Sequence, residues 1–379
     1  MHFNEWYLLL FDSFCHNLDI GPIIKDKLSN YGFEISFPII MWKTERLRGF
    51  ISRISNRSPK FWRWYMNVGI VVSFIAMIFI TWTLLSSLET VLETPSVSLV
   101  IPGVDMPGMS IYVPFLAGLI ALATVLIVHE FSHGIQAVGE KIPIKSIGLL
   151  LVAILPGAFV EPDEEELKKA SKISRLRVYG AGSMANMTLA LIAILIVFGA
   201  SYGIPHFFAE DGIQIGHIVA DSPSDGVLKE GMVIESIDNH KINDSQSYLN
   251  LVGTFKPGDN ITVGTDQGDY SVSLGKNPNN ESVGFFGIQA SKHFKLVDNS
   301  LGPLPWVLFS LVELFQWIFT LNLGIGLFNL LPIKPLDGGH MLEILLTYKL
   351  SEAQAKPIVN AISVILAMVV VFSLVVGFI

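Results

Sequence analysis

Two histidines and a glutamate stand within five residues, His129-Glu130-Phe131-Ser132-His133. On a helix, positions i and i+4 share a face, so both imidazoles can offer a nitrogen to one point. Glu130, turned by about 100° from His129, falls beside that point. Two neutral nitrogen donors with a carboxylate alongside form the arrangement of a zinc hydrolase, in which the metal activates water and the carboxylate takes its proton. Asp337, in Leu336-Asp337-Gly338-Gly339, is the candidate third ligand. Two histidines and one carboxylate leave a fourth position open to water, a recurring catalytic zinc set with one ion per chain.

These groups sit in an apolar chain. Hydrophobic residues make up 51% and charged residues 15%, against about 25% charged in soluble domains, so most of the chain belongs in a membrane. The eighteen residues Ile111 to Val128 carry no charge and run straight into His129. Ionisable groups at that depth cost several kcal/mol by the larger estimates unless something partners them, and a metal ion would. Five spans are predicted: Trp64–Leu88, Ile111 to about Val138, Val178 to about Tyr202, one between Pro303 and Pro332, and Pro357–Ile379. Lys43, Arg46, Arg48, Arg53, Arg57, Lys60 and Arg63 precede the first span, residues 89–110 hold acidic residues but no Lys or Arg, and residues 139–177 hold seven Lys and Arg. Basic loops stay inside. The N-terminus is therefore expected in the cytoplasm, with His129 to His133 in the cytoplasmic half of the second span. The antiparallel fourth span brings Asp337 to the same level. Read alone, Asp337 would be a turn residue before two glycines; paired with the histidines it is read as a ligand.

The chain divides into a cytoplasmic segment 1–60, a membrane core 61–202 and 303–379, and an extracytoplasmic module 207–292. Cys15 is the one cysteine, which excludes intrachain disulfides. No basic segment followed by an unbroken apolar run opens the chain, so no cleaved signal peptide is expected. Trp6–Phe14 reads as a short surface helix and Phe33–Trp42, with Pro38, as an edge strand. Ile147–Val160, broken by Pro156-Gly157, is too short for a span and reads as a re-entrant β-hairpin within 142–162, turning near Leu155 to Gly157; a short tilted helix is the competing reading. Its free edge could hold an extended peptide by strand addition. The third span opens with Gly180-Ala181-Gly182-Ser183-Met184-Ala185-Asn186, small residues that permit close helix approach, and Asn186 reads as interhelical glue on spacing alone. Short alternating segments at 213–219, 232–237, 260–264 and 270–274, with a helix near Ser245–Val252, make the module small and β-rich. Residues 341–356 are expected to form a short inside helix. A net charge of −8 and the lack of a basic face of the required size argue against a nucleic-acid partner.

His129-Glu130-Phe131-Ser132-His133-Gly134 together with Leu336-Asp337-Gly338-Gly339 resembles the two signature motifs of the site-2 proteases, intramembrane zinc metalloproteases. Gly157 to Pro162 resembles the end of that family's re-entrant hairpin, Asn329 to Asp337 its Asn-x-x-Pro…Asp-Gly segment, and residues 212–240 a PDZ domain. The resemblance covers roughly residues 32–379. Ser183 departs from it where the third-span motif usually has proline, and Gly231-Met232 departs where the PDZ module usually has Gly-Asp.

The resemblance implies a polytopic α-helical membrane protein of the cell membrane that hydrolyses a peptide bond within or near a transmembrane helix of another membrane protein. It implies zinc on His129, His133 and Asp337, Glu130 as the base, and Asn186 or Asn329 as aids to the oxyanion or to substrate positioning. The lipid bilayer is a partner throughout, and a peptide C-terminus is a candidate partner of the PDZ-like module, whose plainer alternative is a spacer. Two rivals from other classes are a catalytically inactive membrane adaptor, which should lack a ligand or the base, and a metal transporter, which should show internal repeats. Neither feature is found in the sequence.

Overall fold

The computed structural model describes residues 32–36, 39–44, 47–91, 97, 100–104, 113–152, 155–277 and 280–376. The readings of residues 1–31, with the Trp6–Phe14 helix and Cys15, lie outside the described residues. So do Pro38, the first two residues of the second span and the last three residues of the fifth.

In chain order the elements are strands β1 (Phe33–Ser36) and β2 (Ile39–Thr44), helices α1 (Arg48–Arg57), α2 (Pro59–Ser86) and α3 (Phe115–Gly139), strands β3 (Ile144–Val152) and β4 (Leu155–Pro162), and helices α4 (Glu164–Lys169) and α5 (Lys172–Ser201). Strands β5 (Phe208–Ile218), β6 (Val233–Ile237) and β7 (His240–Lys241) follow, then α6 (Ser245–Val252) and strands β8 (Asn260–Thr265), β9 (Gly268–Ser273), β10 (Gly275–Asn277), β11 (Asn280–Phe285) and β12 (Ile288–Leu296). Helices α7 (Leu304–Phe328), α8 (Asp337–Leu346) and α9 (Glu352–Val376) close the described chain.

Among the described residues, five helices are long and apolar enough to cross a membrane: α2, α3, α5, α7 and α9, with short helical extensions on two of them. Their composition explains the choice, because in hydrocarbon only a helix or a closed barrel satisfies every backbone donor and acceptor. Their outer faces are apolar too. Val71, Ile75, Ile78, Phe79 and Trp82 of α2 are exposed, a stripe that in water would be a large unpaid burial debt but in lipid is solvated.

The chain forms two compact units, one of residues 1–197 and 311–379, the other of Phe198–Ser310. In the first unit the sheet runs β1-β2-β3-β4, antiparallel throughout. The segment read as one strand, Phe33–Trp42, is folded back on itself instead, with Ser36 opposite Ile39. Its second half is an interior strand against β3, so within this segment the edge is β1. The hairpin reverses between Val152 and Leu155, which face each other, and Leu155 to Gly157 already belong to the returning strand. Strand β4 is the other edge of the sheet. The predicted helix at 341–356 is displaced: α8 opens on Asp337 and ends at Leu346, and α9 begins at Glu352 with Pro357 inside it.

The second unit is a small β-domain whose sheet runs β12-β5-β6-β8-β9, with β7 on β6. Alternating inward residues of β5 (Ile213, Ile215) and β8 (Ile261, Val263) fill it, and an irregular register in β6 brings both Ile234 and Ile237 in beside them, together with Met232 and Tyr248. The Asp244 side chain caps α6 by accepting from Ser247 N–H, and Ser247 Oγ in turn accepts from Asp244 N–H, a reciprocal cap that fixes where the helix starts. Strand β12 continues to Leu296, pairing with Phe208 beyond residue 292.

Candidate active site

The charged motif of the second span is helical, and α3 continues through it to Gly139. His129 and His133 therefore share a face, their ring centroids 4.7 Å apart and their Nε2 atoms 3.1 Å apart. Asp337 Oδ2 lies 3.3 Å from His129 Nε2 and 3.4 Å from His133 Nε2. The three ligand atoms thus form a near-equilateral triangle. Around a tetrahedral zinc with bonds of about 2.0–2.1 Å, neighbouring ligand atoms stand about 3.3 Å apart. The donor chemistry fits as well. His133 Nδ1 is 2.7 Å from the carbonyl of Val178, which can only accept, so Nδ1 carries the proton and Nε2 turns a lone pair into the triangle.

Asp337 is brought there by its glycines. A Cβ on Gly338 would stand 2.2 Å from Leu330 O, and one on Gly339 would stand 2.7 Å from Ile333 C. The helix start can press onto the Leu330–Ile333 turn only without those side chains. Gly338 N–H donates to Asn329 O at 2.9 Å and closes the approach.

Helix α5, which supplies no ligand, passes hard against the histidines. A Cβ on Gly182 would stand 2.5 Å from His133 Nε2 and 2.6 Å from His129 Cε1. Ser183 Oγ donates toward Asp337 Oδ2 at 3.4 Å, and the Asn186 amide meets His129 Nδ1 at 3.3 Å. Both residues are fully buried. Sequence reasoning gave neither Gly182 nor Ser183 a role at the site; the run of small residues from Gly180 was the signal for Gly182, and Ser183 stood out only where the resembled motif usually has proline.

His129, Glu130, His133 and Asp337 line one cavity of about 1210 Å³, which Asn329 also lines and Asn186 does not. Phe159 to Pro162 of β4 form another wall. Glu130 Oε2 accepts from Val160 N–H at 2.9 Å, so the carboxylate is tied to the edge strand. Also lining the cavity, His340 stacks on Tyr179 with centroids 4.6 Å apart, and Lys334 pairs with Glu343. Burial, and then the charge of Lys334, lowers the His340 imidazole from its ordinary range. Among the described residues His129, His133 and Asp337 are the one group of three His, Cys, Asp or Glu placed to hold a metal ion.

An uncharacterised protein of Methanocaldococcus jannaschii is 30% identical over 230 residues, which is 60% of this chain and 57% of that protein. A membrane-bound transcription factor site-2 protease homolog of Arabidopsis thaliana is 26% identical over 134 residues, 35% of this chain and 26% of that one. The chain thus spans little more than half, or about a quarter, of these relatives' lengths. The PDZ domain of an SdrC-like protein from Listeria innocua is similar to 22% of this chain over 97% of its own length, with 23% identity and a TM-score of 0.20. The profile of peptidase family M50 matches residues 117–370, which take in both histidines, Glu130 and Asp337. The chain belongs to peptidase family M50, the site-2 protease family.

Proposed function

We propose that this protein is an intramembrane zinc metalloprotease that hydrolyses a peptide bond within or near a transmembrane helix of a membrane-protein substrate. The observation that carries the reading is the triangle of His129 Nε2, His133 Nε2 and Asp337 Oδ2 on the same cavity as Glu130. When bound there, zinc supplies the Lewis acidity that makes water nucleophilic near neutral pH and polarises the scissile carbonyl.

The chain's own residues do the rest. Glu130 takes the proton of the attacking water and returns it to the leaving amine nitrogen. Val160 N–H engages Oε2 and leaves the other carboxylate oxygen for that proton. A helical peptide bond is hidden by its own hydrogen bonds, so the substrate must unwind. The open edge of β4 then offers backbone donors and acceptors to the extended segment, beside Glu130. Asn329 lines the cavity, which supports a role for its amide in meeting the oxyanion. The charge bias of the loops puts the catalytic cavity at the cytoplasmic side and the β-domain outside, where it serves as a filter that binds a peptide C-terminus.

The test is metal content measured beside cleavage of a labelled transmembrane peptide in detergent, wild type against Glu130→Gln. One zinc per chain in both proteins, with cleavage slower by about 10²–10⁴-fold in the variant, is the expected result. Freshly purified wild-type protein without zinc would overturn the reading.

A further inference from the structure

The amide of Asn186 is buried beside a group that can either donate or accept. Its Nδ2 lies 3.3 Å from His129 Nδ1, and its Oδ1 is buried with no hydrogen-bond partner. An orphaned buried carbonyl costs about 1–3 kcal/mol, so this amide should have a state in which the oxygen is used. The ring of His129 supplies one. With both rings neutral and the His133 proton on Nδ1 for Val178 O, the two Nε2 atoms at 3.1 Å are compatible in two ways. Either His129 carries its proton on Nε2 and donates it across the gap, or both nitrogens turn lone pairs toward a cation. In the first case His129 Nδ1 is an acceptor and the Asn186 NH₂ suits it. In the second Nδ1 carries the proton, and a half-turn of the amide brings the unpaired Oδ1 onto it.

We infer that Asn186 is a positioning residue for the metal centre: its Oδ1 accepts the His129 Nδ1–H and so holds the ring with Nε2 free for the metal. This rests on the reading of His129, His133 and Asp337 as a metal site. It assigns Asn186 a place behind a ligand rather than in the cavity, which agrees with its complete burial and its absence from the cavity wall. The neighbouring helix leaves the amide little freedom to move away, since a Cβ on Gly326 would stand 3.1 Å from Asn186 Cβ. Helix α5 then partners each ligand in turn: the Val178 carbonyl holds His133, the Ser183 hydroxyl faces Asp337, and Asn186 holds His129.

Three variants of the full chain in detergent test this, each read by zinc affinity in chelator competition, by the visible spectrum of the cobalt(II)-loaded protein, and by the melting temperature of the metal-free protein. Asn186→Leu keeps the branched heavy-atom shape and removes the acceptor; it should bind zinc about 10–100-fold more weakly and alter the cobalt spectrum, while the metal-free protein, having lost the amide's bond to His129 Nδ1, still melts cooperatively at a somewhat lower temperature. Asn186→Asp keeps an acceptor at the same place and should bind at least as tightly as wild type. His129→Ala should lose the site. Wild-type affinity and spectrum in Asn186→Leu, with binding lost in His129→Ala, would overturn the inference and leave the metal site standing. Equal losses in Asn186→Leu and Asn186→Asp would mean a packing role and would also overturn it. Undiminished binding in His129→Ala would remove the metal-site reading, and the inference with it.

Discussion

Gly182→Ala adds one methyl group where α5 crosses the two histidines. An ideal Cβ there stands 2.5 Å from His133 Nε2, 2.6 Å from His129 Cε1 and 2.7 Å from His129 Nδ1. The first of these is shorter by ~0.9 Å than the 3.4 Å at which ordinary van der Waals contact begins. The rings cannot yield freely, because His133 is tied to Val178 O at 2.7 Å and His129 to Asn186 at 3.3 Å. The helix cannot yield easily either, since Gly180, Ala181 and Ser183 beside Gly182 are all buried. Overpacking of this kind costs about 1–3 kcal/mol in stability. Its effect on the metal is larger, because a workable site holds its ligand distances to within about 0.2 Å. A displacement several times that size should weaken zinc binding by about 100-fold or more. The assay is chelator competition on the purified full chain, with Gly199→Ala as the control, since a Cβ at Gly199 meets nothing within 4 Å. Wild-type zinc affinity in Gly182→Ala would refute both the close approach of α5 and the site built on it.

Two further substitutions probe the remaining walls. Gly338→Ala places a Cβ 2.2 Å from Leu330 O and 2.4 Å from Leu331 O, so Asp337 should be pushed off the triangle; zinc content after dialysis should fall well below one per chain, and full retention would refute the role of that glycine. Val160→Pro removes the N–H that reaches Glu130. Proline is tolerated where an edge strand's N–H points away from its neighbour, so the variant should keep its zinc while turnover falls about tenfold, the lower end expected for losing a hydrogen bond to a charged group. Unchanged turnover would show that Glu130 does not depend on β4.

The spans, the helical pairing of His129 with His133 and the extent of α6 were legible because each follows from local pattern: uncharged runs, a spacing of four, and a turn-bounded amphipathic stretch. The fold-back of Phe33–Trp42 was not, because β2 is defined by its pairing with β3 across more than a hundred residues, and alternation reads the same in an edge strand as in an interior one. The start of α8 at Asp337 was missed for a different reason. Two glycines after an aspartate signal a turn in isolation, whereas here they let the first helical turn press onto the Leu330–Ile333 backbone. Asp337 could be matched to the histidines from topology alone, because an antiparallel span fixes depth. Asn186 could not be placed by that argument, which gives a level in the membrane but not a facing direction.

Helix periodicity supplies what depth does not, once one contact is known. Gly182, Ser183 and Asn186 fall within an arc of about 100° on a helix, so a single close approach at Gly182 turns Ser183 and Asn186 toward the same cluster. The structure has them there, on Asp337 and His129. Small residues on a span signal only that two helices come close; whether the thing approached is another apolar helix or a metal site depends on the partner face. Here that face carries two imidazoles, and this decides the chemistry α5 must supply. A large side chain at 182 would displace the rings, and an apolar one at 186 would leave a ring nitrogen unpaired in a place water cannot reach. The same short run that reads as helix packing in the sequence therefore becomes the template of the site, and substitutions there should alter metal binding without touching a ligand.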